Sequence, residues 1–241
     1  AFQEAMAIAV SATEKVYFTS TQDPNCYSTY SDSASDILAK LKQGGFSRVV
    51  TFYHHEADTR FIECSFVSMG AVTSPDERSI TWFGKVLETF SASRNAAGKP
   101  LTATQQNNLD ARNANYLKNT TAGARTMDGK TVAADGRFID EQITVDCMTA
   151  RAREGLENLI LNQPMSKVPA TADGLALIGA ALSFEFNKFI GAGTIEGFDI
   201  FLDNAVIDPQ TRTCTGIEFV AYLSGAIHRV VINGVLVPAG V

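Results

Sequence analysis

The order of helical and extended patterning over the first 55 residues restricts this chain more than any other feature. Phe2, Met6, Ala9, Val10 and Thr13 recur at helical spacing, and Val16-Tyr17-Phe18-Thr19 then switches to strand-forming residues ahead of a turn at Asp23-Pro24-Asn25. Ser33 and Asp36 form a capping pair before Ile37, Leu38 and Leu41, and Gly44-Gly45 stops that helix where a left-handed residue is wanted. Arg48 to Tyr53 (R-V-V-T-F-Y) reads as a buried strand. A helix between two strands is the connection that parallel pairing requires, and such a layer needs helices on its faces. The expected class is therefore α/β with α+β elements, mixed sheets flanked by helices.

The remaining pattern fills in three segments. Residues 1–90 form an α/β body in which Thr59 to Ala71 supplies a further helix, with Phe61, Ile62, Phe66 and Met69 on its stripe, and Ser79 to Val86 a further strand. Residues 91–137 shift towards Asn, Thr, Ala, Gly and Asp, a loop-rich region suited to an outward-facing insertion. It holds a short polar helix over Thr102 to Ala114 and a hairpin from Tyr116 to Val132 that turns at Asp128-Gly129. Residues 138–241 open with the longest helical pattern, Phe138 to Asn162, which Pro164 and Pro169 stop. A second helix starts from a Thr171 N-cap and runs through Leu175, Ile178, Leu182, Phe186 and Phe189. Strand signals follow at Asp199 to Leu202, Ile217 to Leu223 and Ala226 to Ile232. Asn233-Gly234 is a type I′ turn signal that leaves Val235-Leu236-Val237 as a terminal strand, so the chain is expected to end in a β-hairpin.

Composition excludes several function classes. With 241 residues and 45% hydrophobic residues the chain has ample material for a core. The net charge of -6 and pI of about 5.1 argue against nonspecific nucleic-acid binding. No run of 18 apolar residues and no signal-peptide pattern is present, so a soluble protein without membrane insertion is expected. Cys26, Cys64, Cys147 and Cys214 lie far apart without a C-x-x-C pair, and read as reduced, buried thiols. The chain begins at Ala1, directly in helical periodicity, which sets the expectation of a fragment or processed product.

Few residues carry a chemical signal. His54-His55-Glu56 offers two imidazoles and a carboxylate, but neighbours on a strand point to opposite faces, so the rings converge only if a turn intervenes. The plainer reading is a polar strand end, and no metal or catalytic residue is assigned. Gly191-x-Gly193 follows a helix where a dinucleotide fingerprint would follow a strand, and no phosphate-binding loop or nucleophile elbow occurs. No cofactor is expected. Arg151, Arg153, Glu154 and Glu157 form a charged stretch of the long helix, either a solvated face or one that meets an oppositely charged subunit. Val235, Leu236 and Val237 make an unprotected apolar strand, which either docks on its own sheet or adds to a neighbouring molecule.

An ordered set of short motifs then points to a family. Ile80-Thr81-Trp82-Phe83-Gly84-Lys85, Leu101-Thr102-Ala103-Thr104-Gln105 and Ala111-Arg112-Asn113-Ala114-Asn115-Tyr116 come first. Gly129-Lys130, Gly136-Arg137-Phe138-Ile139-Asp140, Val168 to Gly174, Leu223 to His228 and Ile232-Asn233-Gly234 continue the order. Together, over residues 45 to 237, they resemble the sheath-like tail proteins of contractile-tailed bacteriophages.

The resemblance implies a structural subunit, not an enzyme. Such a subunit is made in the host cytoplasm, polymerises with itself around a tail tube, and contracts in the virion to drive the tube through the host envelope. The implied partners are further copies, the tail tube protein, and the baseplate and tail terminator proteins. The implied C-terminal domain faces the tube, and terminal strands complete sheets in adjacent subunits. The N-terminal arm of that meshwork is expected to be missing before Phe2, so a monomeric species is anticipated. Two other readings compete: a tube or baseplate protein, and an α/β enzyme using His54, His55 and Glu56.

Overall fold

The computed structural model describes residues 2–13, 15–121, 123–161, 168–208 and 210–225. Helix α1 (Phe2–Ser11) leads into strand β1 (Tyr17–Thr21), and after a short 3-10 turn at Pro24–Tyr27 come α2 (Ile37–Gln43) and β2 (Val49–Tyr53). The two strands pair in parallel, Tyr17 opposite Val49 through Thr21 opposite Tyr53, as the alternation of elements requires. All five residues of β2 are buried, which is why its sequence is apolar except at Thr51 and does not alternate. Asp36 itself caps α2, accepting from Ala39 N–H at 3.0 Å, so the helix starts three residues later than a Ser33 cap would place it. Gly45, at φ 64°, makes the left-handed exit.

The helix expected over Thr59 to Ala71 is two helices, α3 (Ala57–Arg60) and α4 (Ile62–Gly70). Phe61 breaks it with a left-handed φ of 46°, and its ring leaves the apolar stripe for solvent while Ile62 and Phe66 stay buried. Ser79 to Val86 is not a strand. Its chain turns through Gly84 at φ 72°, drops Trp82 into the core, and meets β4 through one bridge, Val86 to Arg125, with hydrogen bonds linking Thr126 to Trp82, Gly84 and Lys85 beside it.

Residues 91–137 complete the first sheet. After α5 (Ala103–Asp110), which Thr102 and Gln105 start with a reciprocal capping box, β3 (Asn115–Thr120) lies parallel to β2, and β4 (Gly123–Thr126) lies antiparallel to β3. The order is β1-β2-β3-β4. The hairpin therefore closes before Gly123 and not at Asp128-Gly129. Those two residues do adopt left-handed conformations, at φ 66° and 68°, but they steer the chain out of β4 past Trp82.

A 23-residue helix, α6 (Ile139–Leu161), ties the halves together. Its first turns put Ile139 and Ile143 against Val50, Phe52, Phe66 and Trp82, and Arg48 at the start of β2 pairs with Asp146. Its later turns put Met148, Ala152 and Leu156 against α7 (Ala172–Gly191). The helices approach closely at Gly155, where a Cβ would lie 2.8 Å from Glu185 Cγ. Beyond α7, β5 (Ile195–Phe201) and β8 (Glu218–Leu223) form an antiparallel ribbon, and β6 (Val206–Asp208) and β7 (Thr213–Thr215) form a small hairpin between them. No helix among the described residues is long and apolar enough to cross a membrane.

Candidate functional site

The β5–β8 ribbon has one covered and one exposed face. Alternation along β8 turns Phe219, Ala221 and Leu223 onto α7, where they meet Phe186, Phe189, Phe198 and Ile200. Phe186 packs edge-on against Phe198, with ring centroids 5.3 Å apart, which fixes the ribbon on its helix. The other face leaves Phe201, Val220 and Tyr222 43%, 45% and 51% exposed. Among the described residues no strand pairs with the outer edge of either β5 or β8, and an unpaired edge presents a row of backbone donors and acceptors. The segment carrying Val235, Leu236 and Val237, together with the expected strand and turn at residues 226–234, lies outside the described residues.

The loop after α4 holds the ribbon's supporting unit to the sheet body. Arg151 Nε donates to Asp76 Oδ2 at 2.8 Å, Thr194 Oγ1 to Pro75 O at 2.6 Å, and Ser79 N–H to Ala192 O at 3.1 Å. Of the charged stretch on α6, Arg151 is thus engaged within the chain, bonding Glu154 as well at 2.7 Å, while Arg153, Glu154 and Glu157 lie on the exposed side.

A turn does follow β2, and it brings the rings of His54 and His55 to 4.4 Å. One ligand atom from each of His54, His55 and Glu56 falls within 4.8 Å of the others. Hydrogen bonding nevertheless removes His54 as a ligand. Its Nδ1 accepts from Glu56 N–H at 3.2 Å, so its Nε2 carries the proton and donates to Ser91 O at 3.0 Å. Both nitrogens of a fully buried ring are occupied, and burial holds its pKa below the usual histidine value. Glu56 pairs with Arg60 at 3.1 Å, which leaves His55 as a lone donor.

His55 borders an open cleft of about 530 Å³ at the carboxyl ends of β1 and β2, where α/β sheets commonly take ligands. Asp23 there caps the 3-10 turn and Asp58 accepts from Gln22 at 2.6 Å, so its carboxylates bond their neighbours and do not converge. Replacing His54 with alanine is expected to cost about 1–3 kcal/mol in urea unfolding, by stranding Ser91 O and Glu56 N–H. A chelator should leave the melting temperature of the wild type unchanged; a chelator-induced drop would restore the metal reading.

The thiols divide by environment. Cys26 is buried, and burial pushes its pKa up to about 12, whereas Cys64 is exposed and Cys147 and Cys214 are half-buried, so buried thiols are not the rule.

The polar residues that organise the fold carry no chemical motif that would single them out as sites. Arg112 is fully buried and binds Asp36 through Nε and Nη2, the latter at 2.8 Å. Asn115 donates to Thr51 O and Lys130 O and accepts from Lys130 N–H, stitching β2 to the segment after β4. Asn113, left-handed at φ 53°, donates to Ala133 O at 2.8 Å. The one signal they leave in the sequence is the run Arg112-Asn113-Ala114-Asn115, which leads into β3. No protein-family model matches this chain, and no curated protein matches it.

Proposed function

We propose that this chain is a structural subunit of a contractile phage tail sheath, working through contacts with further copies of itself and with a tail tube. The observation that carries the reading is the β5–β8 ribbon, fixed on α7 by one face and unpaired at both edges among the described residues. A ribbon of this kind accepts strands from neighbouring chains, whose backbone hydrogen bonds supply adhesion while side chains set register. The motif order described above supplies the family, and the absence of a converged catalytic set around His54, His55 and Glu56 favours a mechanical role over an enzymatic one. Free energy held in an extended lattice is released when lateral contacts between subunits switch arrangement, while the strand mesh keeps the polymer continuous.

Electron microscopy of the protein, with and without a tail tube, is the decisive measurement. Tubular polymers are expected of the full-length subunit; a full-length chain that stays strictly monomeric at high concentration removes the sheath reading. Val235→Asp and Leu236→Asp should abolish polymerisation, because a charge on an added strand cannot be buried between subunits. Unchanged polymers from both variants would mean that this segment docks on its own sheet.

A further inference from the structure

We propose that the β3–β4 hairpin of a second copy of this chain docks on the outer face of the β5–β8 ribbon, in a head-to-tail contact. The proposal rests on the sheath reading and names one lateral contact within it. Two patches of opposite sign, neither with an ion-pair partner among the described residues, motivate it.

The acceptor is the outer face of the ribbon. Asp199 and Phe201 from β5 and Glu218, Val220 and Tyr222 from β8 share that face, with Val220 opposite Asp199 and Phe201 opposite Glu218. Glu196 stands exposed in the bulge at its end. Asp199 accepts from Tyr222 OH at 2.7 Å, and no cation comes within ion-pair distance of these carboxylates among the described residues. The face thus combines carboxylates with exposed apolar surface, and none of its described residues is basic.

The donor is the hairpin. Lys118 sits directly opposite Arg125 in the antiparallel register, so two cations share one face of a two-residue cross-strand pair, an arrangement that disfavours the hairpin. Arg125 turns aside to Gly84 O at 2.7 Å. Lys118 is exposed and has no carboxylate partner among the described residues.

Across two chains the chemistry matches. The carboxylates take the ammonium group, while Phe201, Val220 and Tyr222 take the aliphatic stem of the lysine. The patches occupy different parts of the fold, so the contact is heterologous and repeats into an open polymer unless its rotation closes a ring.

The test uses the whole chain as an equimolar mixture of natural-isotope and 15N-labelled protein at low salt, coupled with a zero-length carbodiimide and read by mass spectrometry. Mixed-isotope links from Lys118 to Glu196, Asp199 or Glu218 are expected, and their absence overturns the contact. Lys118→Glu should weaken self-association by at least tenfold in sedimentation without lowering the melting temperature of the monomer, and Glu218→Lys mixed with it should restore association. Wild-type association of Lys118→Glu also overturns the contact. Links without tubes in the microscope keep the contact and sink the sheath reading; tubes without links do the reverse.

Discussion

Replacing Arg112 with alanine is expected to cost about 3–5 kcal/mol, the largest loss of any single substitution proposed for this chain, because it leaves a buried carboxylate uncompensated. The guanidinium is fully buried and uses every edge. Nε bridges both oxygens of Asp36 at 3.1 Å, Nη2 adds a bond to Oδ2 at 2.8 Å, and Nη1 donates to Ser28 O at 2.9 Å and Asn108 O at 3.0 Å. Asp36 in turn caps α2, so one side chain holds the end of α5, the loop after the 3-10 turn and the start of α2.

Lysine keeps the charge but not the planar fork, so Arg112→Lys should recover only part of the loss. Asp36→Asn keeps a capping oxygen and strands the guanidinium, which separates the ion pair from the cap. Burial raises the Asp36 pKa, but the bonds from Arg112 and Ala39 N–H outweigh it and hold the carboxyl below its usual range. A depressed folded value means that this stability is present above the unfolded pKa of about 3.9 and is lost as pH falls through the folded value. Urea unfolding at pH 7 and at pH 3 should therefore show the gap between wild type and Arg112→Ala narrowing in acid. A cost below about 1 kcal/mol at pH 7 would show that the site relaxes around the missing side chain.

The sequence disclosed the elements whose side-chain period and environment agree. β2 is apolar at four of its five positions and is buried at all five, and β8 alternates between exposed and half-buried residues. α6 and α7 carry apolar faces long enough to dominate local preference, although Thr171 stands at the N-cap of α7 without accepting a side-chain bond. Failures came where a correct local signal served a different tertiary purpose. Ser79 to Val86 has strand-forming residues, yet it meets β4 through a single bridge at Val86 and hydrogen bonds to Thr126 and Arg125, and Trp82 is drawn into the space beside α4. Asp128-Gly129 is a true left-handed pair used to leave a strand and not to join two.

The candidate sites divide in the same way. An apolar pattern announces β8, but which strand edges stay unpaired depends on what else reaches them, and that is a property of topology. Asp36 was legible as a helix-start residue; its buried partner lies 76 residues away, and nothing local to Arg112 reveals it. A turn after β2 was the condition for a metal site at His54 and His55, and the turn that brings the two rings together also consumes both nitrogens of His54.

A gain in stability of about 1–3 kcal/mol at pH 8, vanishing at pH 4, is expected for Asp140→Asn. A carboxylate in the first turn of a helix is ordinarily favoured by the helix dipole, by up to about 1 kcal/mol. Asp140 is the exception because its surroundings exclude water. It lines a cavity of about 30 Å³ between the sheet body and the ribbon's unit, beside Trp82, Ile143, Thr194 and Leu223, and its Oδ1 is buried without a partner among the described residues. Burial pushes its pKa up to about 6, Glu141 acts in the same direction, and a bond from its own backbone N–H opposes both.

The folded value lies above the unfolded value of about 3.9. The protonated acid is therefore the form the fold prefers, and its contribution is complete below pH 4 and lost as pH rises through about 6. A rise from about 3.9 to about 6 corresponds to an ionisation cost of at most about 3 kcal/mol, from which the lost dipole interaction must be subtracted. Asparagine cannot ionise, so it escapes that cost at pH 8 and resembles the neutral acid at pH 4. Trp82 is the only tryptophan in the chain and lines the same cavity, so its fluorescence should titrate with a midpoint near 6 in the wild type and stay flat over that range in the variant. A destabilised variant at pH 8 with no such titration would mean that Asp140 is an ionised helix-start residue, and that the seam between the two halves does not respond to pH through it.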